Sequence, residues 1–289
     1  MRKISEQNIF PRFDLPAEYR KIEQLISGKK VVDCHYHFAA PITIEKLVNE
    51  YFLDWELRGT MFSVREMREA FGIEKTLMES SDVPTGVYLD FFQYAANCAN
   101  YVWQITRKKP LHYSVDDNFM VAIIQHISAI ADRLNVKVEF SEDGVEVYLI
   151  YRDDVADIVV EHHPDISHKI TEYRRIDNHG NLERKGEILC TLYKKFESVR
   201  DDLNKTEFKA LADDTGLLFN NTSIRHWEEK TKFAAVTFSN MPPDELEIWY
   251  GKTYELFIAC MAVLPYIKSM KGEIAELKQL AEQDMGKEQ

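Results

Sequence analysis

Helical spacing of apolar residues dominates this chain and limits the folds that it can adopt. Apolar side chains recur at every third or fourth position in segments that begin at Ile44, Phe91, Phe119, Leu189, Phe208 and Leu246. The clearest exception is VKVEFSEDGVEVYLIY, where apolar and polar residues alternate on both sides of an Asp-Gly turn. This alternation predicts a β-hairpin near 136–150. The sequence therefore predicts a mostly helical α+β protein.

Several helix boundaries have their own local signals. Ser63 and Glu66 form a capping box at the start of one helix. Pro242 and Pro243 precede the last strongly periodic stretch, and Pro265 is expected to kink or end that helix. From Lys268 onward the tail is charged and helical in composition.

The polar, turn-rich segment HPDISHKITEYRRIDNHGN predicts a hinge or domain boundary near residues 164–182. The sequence thus predicts an N-terminal α+β region over 1–164, which consists of helices, one strand near Val32 and the hairpin. A C-terminal helical domain follows over 182–289.

Composition excludes several classes of protein. The net charge of −12 disfavours a surface built to hold long nucleic acid through its phosphates. No Gly-rich phosphate loop is present, the four cysteines are scattered, and no cofactor is predicted. No apolar run reaches the ~18 residues that span a bilayer, so we expect a cytoplasmic protein without membrane contact.

The stretch GKKVVDCHYHFAAP contains an Asp-x-His-x-His pattern, which resembles the metal-binding strand of amidohydrolases. Asp33, His35 and His37 fall on one face of an extended strand. Several helical segments follow before the next clear strand, which does not fit an alternating barrel. We interpret the stretch as a structural strand without metal, and a metal-dependent hydrolase using His35 and His37 is the alternative.

The candidate site lies in LADDTGLLFNNTSIRHWEEK. On an ideal helix, Arg225 and His226 fall on opposite shoulders of the apolar stripe, with Asn221 beside Arg225. Polar groups on a packed face need hydrogen-bond partners or a cleft. Asn221, Arg225 and His226 are therefore the predicted catalytic residues, and a helix-end network that only stabilises the fold is the alternative.

The remaining histidines have structural interpretations. His126 lies between Ile123 and Ile130 on an apolar face and is interpreted as a core histidine. His162 and His163 precede Pro164 and are interpreted as caps at the end of a helix.

The blocks LFNNTSIRHWEE and DELEIWYGKTYELFIACMAVLPYI resemble the C-terminal region of AbiJ-type abortive-infection proteins, which carry HEPN-like helical domains. FMVAIIQHISAIADRLNVKVEFSEDGVEVYLI is similar to the segment that precedes that region in the same group. Together the resemblance covers roughly residues 115–268.

The resemblance implies a HEPN-like bundle over 182–289 in an antiphage-defence effector. It implies a metal-independent ribonuclease, pairing of two copies, RNA as substrate, and a second defence-system protein as a possible partner. Arginine would hold the scissile phosphate and histidine would exchange protons. In the usual HEPN pattern, histidine follows arginine by four to six residues, whereas Arg225 and His226 are adjacent. The resemblance therefore leaves a non-catalytic regulatory or scaffold subunit as the alternative.

Overall fold

The computed structural model describes residues 13–28, 32–34, 42–79, 82–108, 113–221 and 241–285. Over these residues the chain is mostly helical, with two small antiparallel sheets, so the predicted class is confirmed. Contacts divide the chain into two compact units, Met1–Tyr151 and Arg152–Gln289.

The helices described in the first unit are α1 (Leu15–Glu23), α2 (Ile44–Glu50), α3 (Val64–Ala70), α4 (Lys75–Met78), α5 (Thr85–Lys108) and α6 (Asp117–Arg133). A π-helical turn, Gln24–Gly28, extends α1. Two 3-10 turns, Phe52–Asp54 and Glu56–Arg58, lie between α2 and α3. Strands β1 (Val32–Cys34) and β2 (Tyr113–Val115) pair with each other, as do β3 (Val136–Phe140) and β4 (Val147–Tyr151).

Helix α5 is the central element of the first unit. Its predicted apolar stripe is buried along most of the helix, including Phe91, Cys98 and Val102 with no exposed surface. The helix packs against α1, α2, α6 and β4. Burial on several sides explains why α5 is apolar around more of its circumference than a surface helix.

The predicted hairpin is confirmed, with Val136 opposite Tyr151 and Phe140 opposite Val147. Gly144 has a φ of 70°, a left-handed conformation that glycine adopts without steric cost. The side chain of Asp143 accepts a hydrogen bond from the Val145 amide at 3.0 Å, which closes the turn.

The sequence predicted only one of the two strands in the short sheet formed by β1 and β2. The strand at Val32 was predicted, but its antiparallel partner Tyr113–Val115 was not. A strand of three residues between two long helices is too short to show a period of two.

The predicted capping box at the start of α3 is present, with one change. The Glu66 amide donates to Ser63 Oγ at 3.2 Å, as expected. Glu66 Oε2 accepts from the Phe62 amide at 2.8 Å, one residue before the amide that a standard box uses.

The helices described in the second unit are α7 (Asp154–His162), α8 (Ser167–Tyr173), α9 (Leu182–Asn204), α10 (Lys209–Asn221), α11 (Pro243–Pro265) and α12 (Lys271–Met285). Helix α11 packs against α7, α9 and α10 around one hydrophobic core. It ends at Pro265 as predicted, and a π-helical turn, Tyr266–Met270, leads into α12.

The division between the units lies earlier in the chain than the boundary predicted near 164–182. Helix α7, which was assigned to the N-terminal region, packs on α11 through buried Ala156 and Val159. Within the predicted hinge, Ile166 and Ile170 belong to the core of the second unit. Polar residues dominate this segment in sequence, but its isoleucines and Tyr173 are buried.

Among the helices that the structure describes, none combines the length and apolar character that a membrane-spanning segment needs.

Candidate functional site

The C-terminal end of α10 carries Asn221, one of the three predicted catalytic residues. Phe219 fixes this end of the helix, since its ring lies 5.7 Å from that of Phe196 and 6.4 Å from that of Phe257. Asn221 donates its side-chain amide to the Leu217 carbonyl at 2.8 Å. Arg225 and His226 lie outside the described residues, so the proposed grouping of the three side chains stays a prediction.

Two other segments have an arginine and a histidine at the spacing of the HEPN pattern, and the segment from Arg174 to His179 is a turn. Arg174 caps the end of α8, and a 3-10 turn, Ile176–Asn178, follows it. The Arg174 side chain is buried and makes an ion pair of 2.6 Å with Asp157. In the segment from Arg107 to His112, Arg107 lies in the last turn of α5 and pairs with Asp117 at 2.8 Å, and His112 lies outside the described residues.

His126 is not the core histidine that its sequence position indicated. Its side chain is 41% exposed, and Nε2 lies 2.9 Å from Glu18 Oε2. A position beside an apolar stripe does not bury a residue when the neighbouring helix presents a carboxylate there. His163 is the C-terminal cap of α7, as predicted, and its Nε2 is buried without a hydrogen-bond partner among the described residues.

The alternative metal site at His35 and His37 also lies outside the described residues. In the part of the chain that the structure describes, no three histidine, cysteine, aspartate or glutamate side chains are grouped so that they could hold a metal ion.

A cleft of about 670 Å³ lies in the first unit, between the end of α1 and helices α2, α3 and α4. Its acidic lining residues are Glu23, Glu45, Glu69 and Glu74. Its basic lining residues are Lys46, Arg65, Arg68 and Lys75. The volume falls in the range of about 300–1,000 Å³ that is typical of small-molecule sites.

A buried ion cluster forms the floor of this cleft. Arg68, which is 9% exposed, donates from Nη1 and Nη2 to both carboxylate oxygens of Glu23, at 3.3 and 3.0 Å. Nη1 also donates to Glu45 Oε1 at 2.8 Å, and Nε donates to the Ile73 carbonyl at 3.3 Å. The guanidinium therefore connects α1, α2 and α3, and it is satisfied on both edges.

Each of the two carboxylates also accepts a hydrogen bond from a hydroxyl group. Tyr94 from α5 donates to Glu45 Oε1 at 2.7 Å, and Ser27 donates to Glu23 Oε1 at 2.8 Å. The Arg68 guanidinium also lies 5.7 Å from the ring centroids of Phe91 and Tyr94. The cluster thus has aromatic rings on one side and the open cleft on the other.

The protonation states of the cluster follow from its burial and its charges. Burial alone would lower the pKa of Arg68, but the hydrogen bonds and charges of Glu23 and Glu45 outweigh burial and raise it. Burial, with the nearby Cys98 and Glu45, raises the pKa of Tyr94 well above its usual value. Arg68 is therefore a permanent cation, and Tyr94 is a neutral hydrogen-bond donor.

A smaller cavity of about 230 Å³ shares Glu23, Ser27 and Lys75 with the cleft. Tyr19 lies in its wall and is 2% exposed. The Tyr19 hydroxyl is buried near the Arg68 guanidinium and makes no hydrogen bond of standard geometry with a described residue. Such a group costs free energy unless water or a ligand satisfies it.

Sequence reasoning missed this cluster, although one signal was present. Glu23 occupies the position four residues after Tyr19 on the apolar stripe of α1, and Arg68 occupies the equivalent position after Val64 on α3. A charged residue in the middle of an apolar stripe predicts a buried charge that needs a partner.

Comparison of the chain with protein-family models, curated proteins and solved structures gives no significant match.

Proposed function

We propose that this chain is a cytoplasmic antiphage-defence effector of the AbiJ type whose C-terminal unit cleaves RNA without a metal ion. The resemblance over residues 115–268 motivates the proposal. The observation that supports it is the helical second unit, in which α11 packs against α7, α9 and α10 around one core. Helix α10 ends at Asn221, immediately before the segment that contains Arg225 and His226.

The proposed chemistry uses side chains alone. Arg225 would hold the scissile phosphate and stabilise its developing charge. His226 would take the proton of the 2′-hydroxyl or give one to the leaving oxygen. Asn221 would contact the substrate by exchanging its 2.8 Å bond to the Leu217 carbonyl for one to RNA.

Phage challenge of cells that express the chain tests this proposal. The His226→Ala variant should lose defence while keeping its thermal stability, because it removes a proton-transfer group. His168→Ala is the matched control, since His168 is an exposed histidine of the same unit. Defence by folded His226→Ala equal to that of the unchanged chain would contradict the catalytic role.

A non-catalytic regulatory or scaffold subunit is the second candidate. The intrahelical hydrogen bond of Asn221 favours it, because a side chain that caps its own helix has a structural role without any substrate. On this view, His226→Ala would reduce defence only in proportion to the loss of folded protein, and the purified chain would not cleave RNA.

The proposal includes pairing of two copies through the second unit. Most of the apolar stripe of α11 is buried in the core of its own unit, which leaves Ile248 as a large apolar side chain that is 58% exposed. Replacing Ile248 with Glu should shift the chain towards the monomer if this face pairs. Light scattering at tens of micromolar protein measures the shift, and a monomer mass for the unchanged chain would exclude pairing at that concentration.

A further inference from the structure

The buried ion cluster of the first unit has an unbalanced charge. Glu23 and Glu45 contribute two negative charges and Arg68 one positive charge, so the cluster carries a net charge of −1. A buried charge without a counter-charge is costly, and the cost falls when a cation approaches it. The cleft is the route by which a cation outside the chain can reach the cluster.

Glu45 is the group that such a cation would meet. Its hydrogen bonds from Arg68 and Tyr94 both go to Oε1. Its Oε2 accepts no hydrogen bond from any residue that the structure describes, and Glu45 lines the cleft. A carboxylate with one oxygen held in place and the other available is a preorganised acceptor for an ammonium or guanidinium group.

Outside the buried cluster, the cleft is lined by two lysines and by Glu74, so this part has a net positive charge. Lys46 and Lys75 line it, are exposed, and form no ion pair with another described residue. Arg65, by contrast, is paired with Glu69 at 2.7 Å. Two unpaired ammonium groups at the rim favour an anionic group on the same ligand.

We propose that this cleft binds a small zwitterion of the amino-acid class. The cationic group of the ligand meets Glu45 at the floor, and its carboxylate meets Lys46 and Lys75 at the rim. A longer ligand reaches the adjoining cavity, where its polar end satisfies the Tyr19 hydroxyl. This inference goes beyond the proposed defence function and does not depend on it.

Titration calorimetry with the twenty free L-amino acids, on the full chain, tests the proposal. We expect saturable binding of at least one of them below about 10 mM, which is weaker than most specific complexes and still measurable. The decarboxylated amine of that amino acid should bind more weakly, because it cannot use the lysines. The proposal is overturned if no amino acid saturates the chain in this range.

Two variants assign the binding to this cleft. Glu45→Gln keeps a carbonyl acceptor for Arg68 and Tyr94 but removes the charge, so amino-acid binding should weaken about tenfold or more. Glu142→Gln is the control, because it removes the same charge from an exposed position in the hairpin turn of the same unit. Equal binding by the two variants would place the ligand elsewhere and reject the proposed cleft.

The double variant Lys46→Ala/Lys75→Ala tests the same cleft independently of any folding defect in Glu45→Gln, because both lysines are exposed. It should reduce the affinity for the amino acid to that for its decarboxylated amine. If the difference between the two probes persists in this variant, the lysines do not recognise the carboxylate and the assigned orientation is wrong. These binding measurements can fail while defence succeeds, and the reverse, so the two proposals are tested separately.

Discussion

Arg68 connects helices of the first unit through one guanidinium group. It donates to Glu23 at the end of α1 and to Glu45 on α2, and it faces the rings of Phe91 and Tyr94 on α5. A buried ion pair of this kind adds little stability over an apolar replacement of the whole cluster, but loss of one member leaves its partners charged and buried. Removal of Arg68 alone is therefore expected to cost more free energy of unfolding than the intact cluster adds over an apolar replacement.

We expect Arg68→Met to lower the free energy of unfolding by about 3–5 kcal/mol, because the carboxylates of Glu23 and Glu45 then lie close together without a counter-charge. Urea denaturation at neutral pH measures the change. Arg65→Met on the same helix is the control and should have little effect, since Arg65 is exposed. A small effect of Arg68→Met would mean that the carboxylates are protonated or hydrated and that the cluster is not charged as described.

His163 gives the second unit a dependence on pH. Burial lowers the pKa of this imidazole, and the nearby backbone of Met261 opposes the shift only in part. The neutral form is thus favoured in the folded state, so stability is complete above the unfolded pKa of about 6.5 and falls as the pH decreases below it.

Replacing His163 with Gln should therefore flatten the loss of stability between about pH 6.5 and pH 5. Thermal melting of both proteins across this range measures the difference. His162→Gln, an exposed neighbour, is the control and should keep the original slope. Parallel curves for His163→Gln and the unchanged chain would show that the imidazole is already accessible to solvent when the chain is folded.

At the level of elements, side-chain amides of α5 attach the hairpin to the helix. Asn97 donates to the Val147 carbonyl at 2.6 Å and accepts from the Val147 amide at 2.8 Å. Gln93 accepts from the Leu149 amide at 2.7 Å. These contacts satisfy the outer edge of β4, which would otherwise present unpaired backbone groups.

Asn97→Ala should lower the free energy of unfolding by about 2–4 kcal/mol, because it leaves both backbone groups of Val147 buried without a partner. Urea denaturation measures the loss. Asn118→Ala, at an exposed position of α6, provides the comparison and should change stability far less. If the two variants are equally stable, water replaces the amide and the edge of β4 is more open than the structure indicates.

The elements that the sequence predicted are those whose signal is local. The stripe of α5, the capping box of α3 and the Asp-Gly turn each lie within one stretch of chain, so the pattern alone defines them. The ion cluster depends on Glu23, Glu45, Arg68 and Tyr94, which belong to four different helices, so only folding brings them together. The strand Tyr113–Val115 was missed for a related reason, because its partner is distant in the sequence.

For the whole molecule, the net charge limits how the proposed RNA substrate can bind. The net charge of −12 repels a polyanion, so binding must depend on a local group of cations. Arg225, Lys230 and Lys232 lie close together in the sequence of the candidate segment, with Glu228 and Glu229 between them, so this stretch has a net charge of only +1. A single short RNA strand is therefore a better fit to this chain than a long duplex.

The composition of the core of the second unit gives a test of the boundary at Tyr151. Every member of the core cluster around α11 comes from the second unit, with Ala156 and Val159 contributed by α7. A fragment that contains only Arg152–Gln289 should therefore fold alone, with a helical circular dichroism spectrum and one cooperative thermal transition.

A fragment over 164–289, which starts at the boundary that the sequence predicted, is the matched comparison. It lacks α7 and exposes the apolar surface of α11 that Ala156 and Val159 cover, so it should be less stable by about 2–4 kcal/mol. Thermal and urea unfolding of the two fragments, measured side by side, give this difference. Equal stability would mean that α7 does not belong to the second unit. An unfolded Arg152–Gln289 fragment would show that the second unit needs the first to fold.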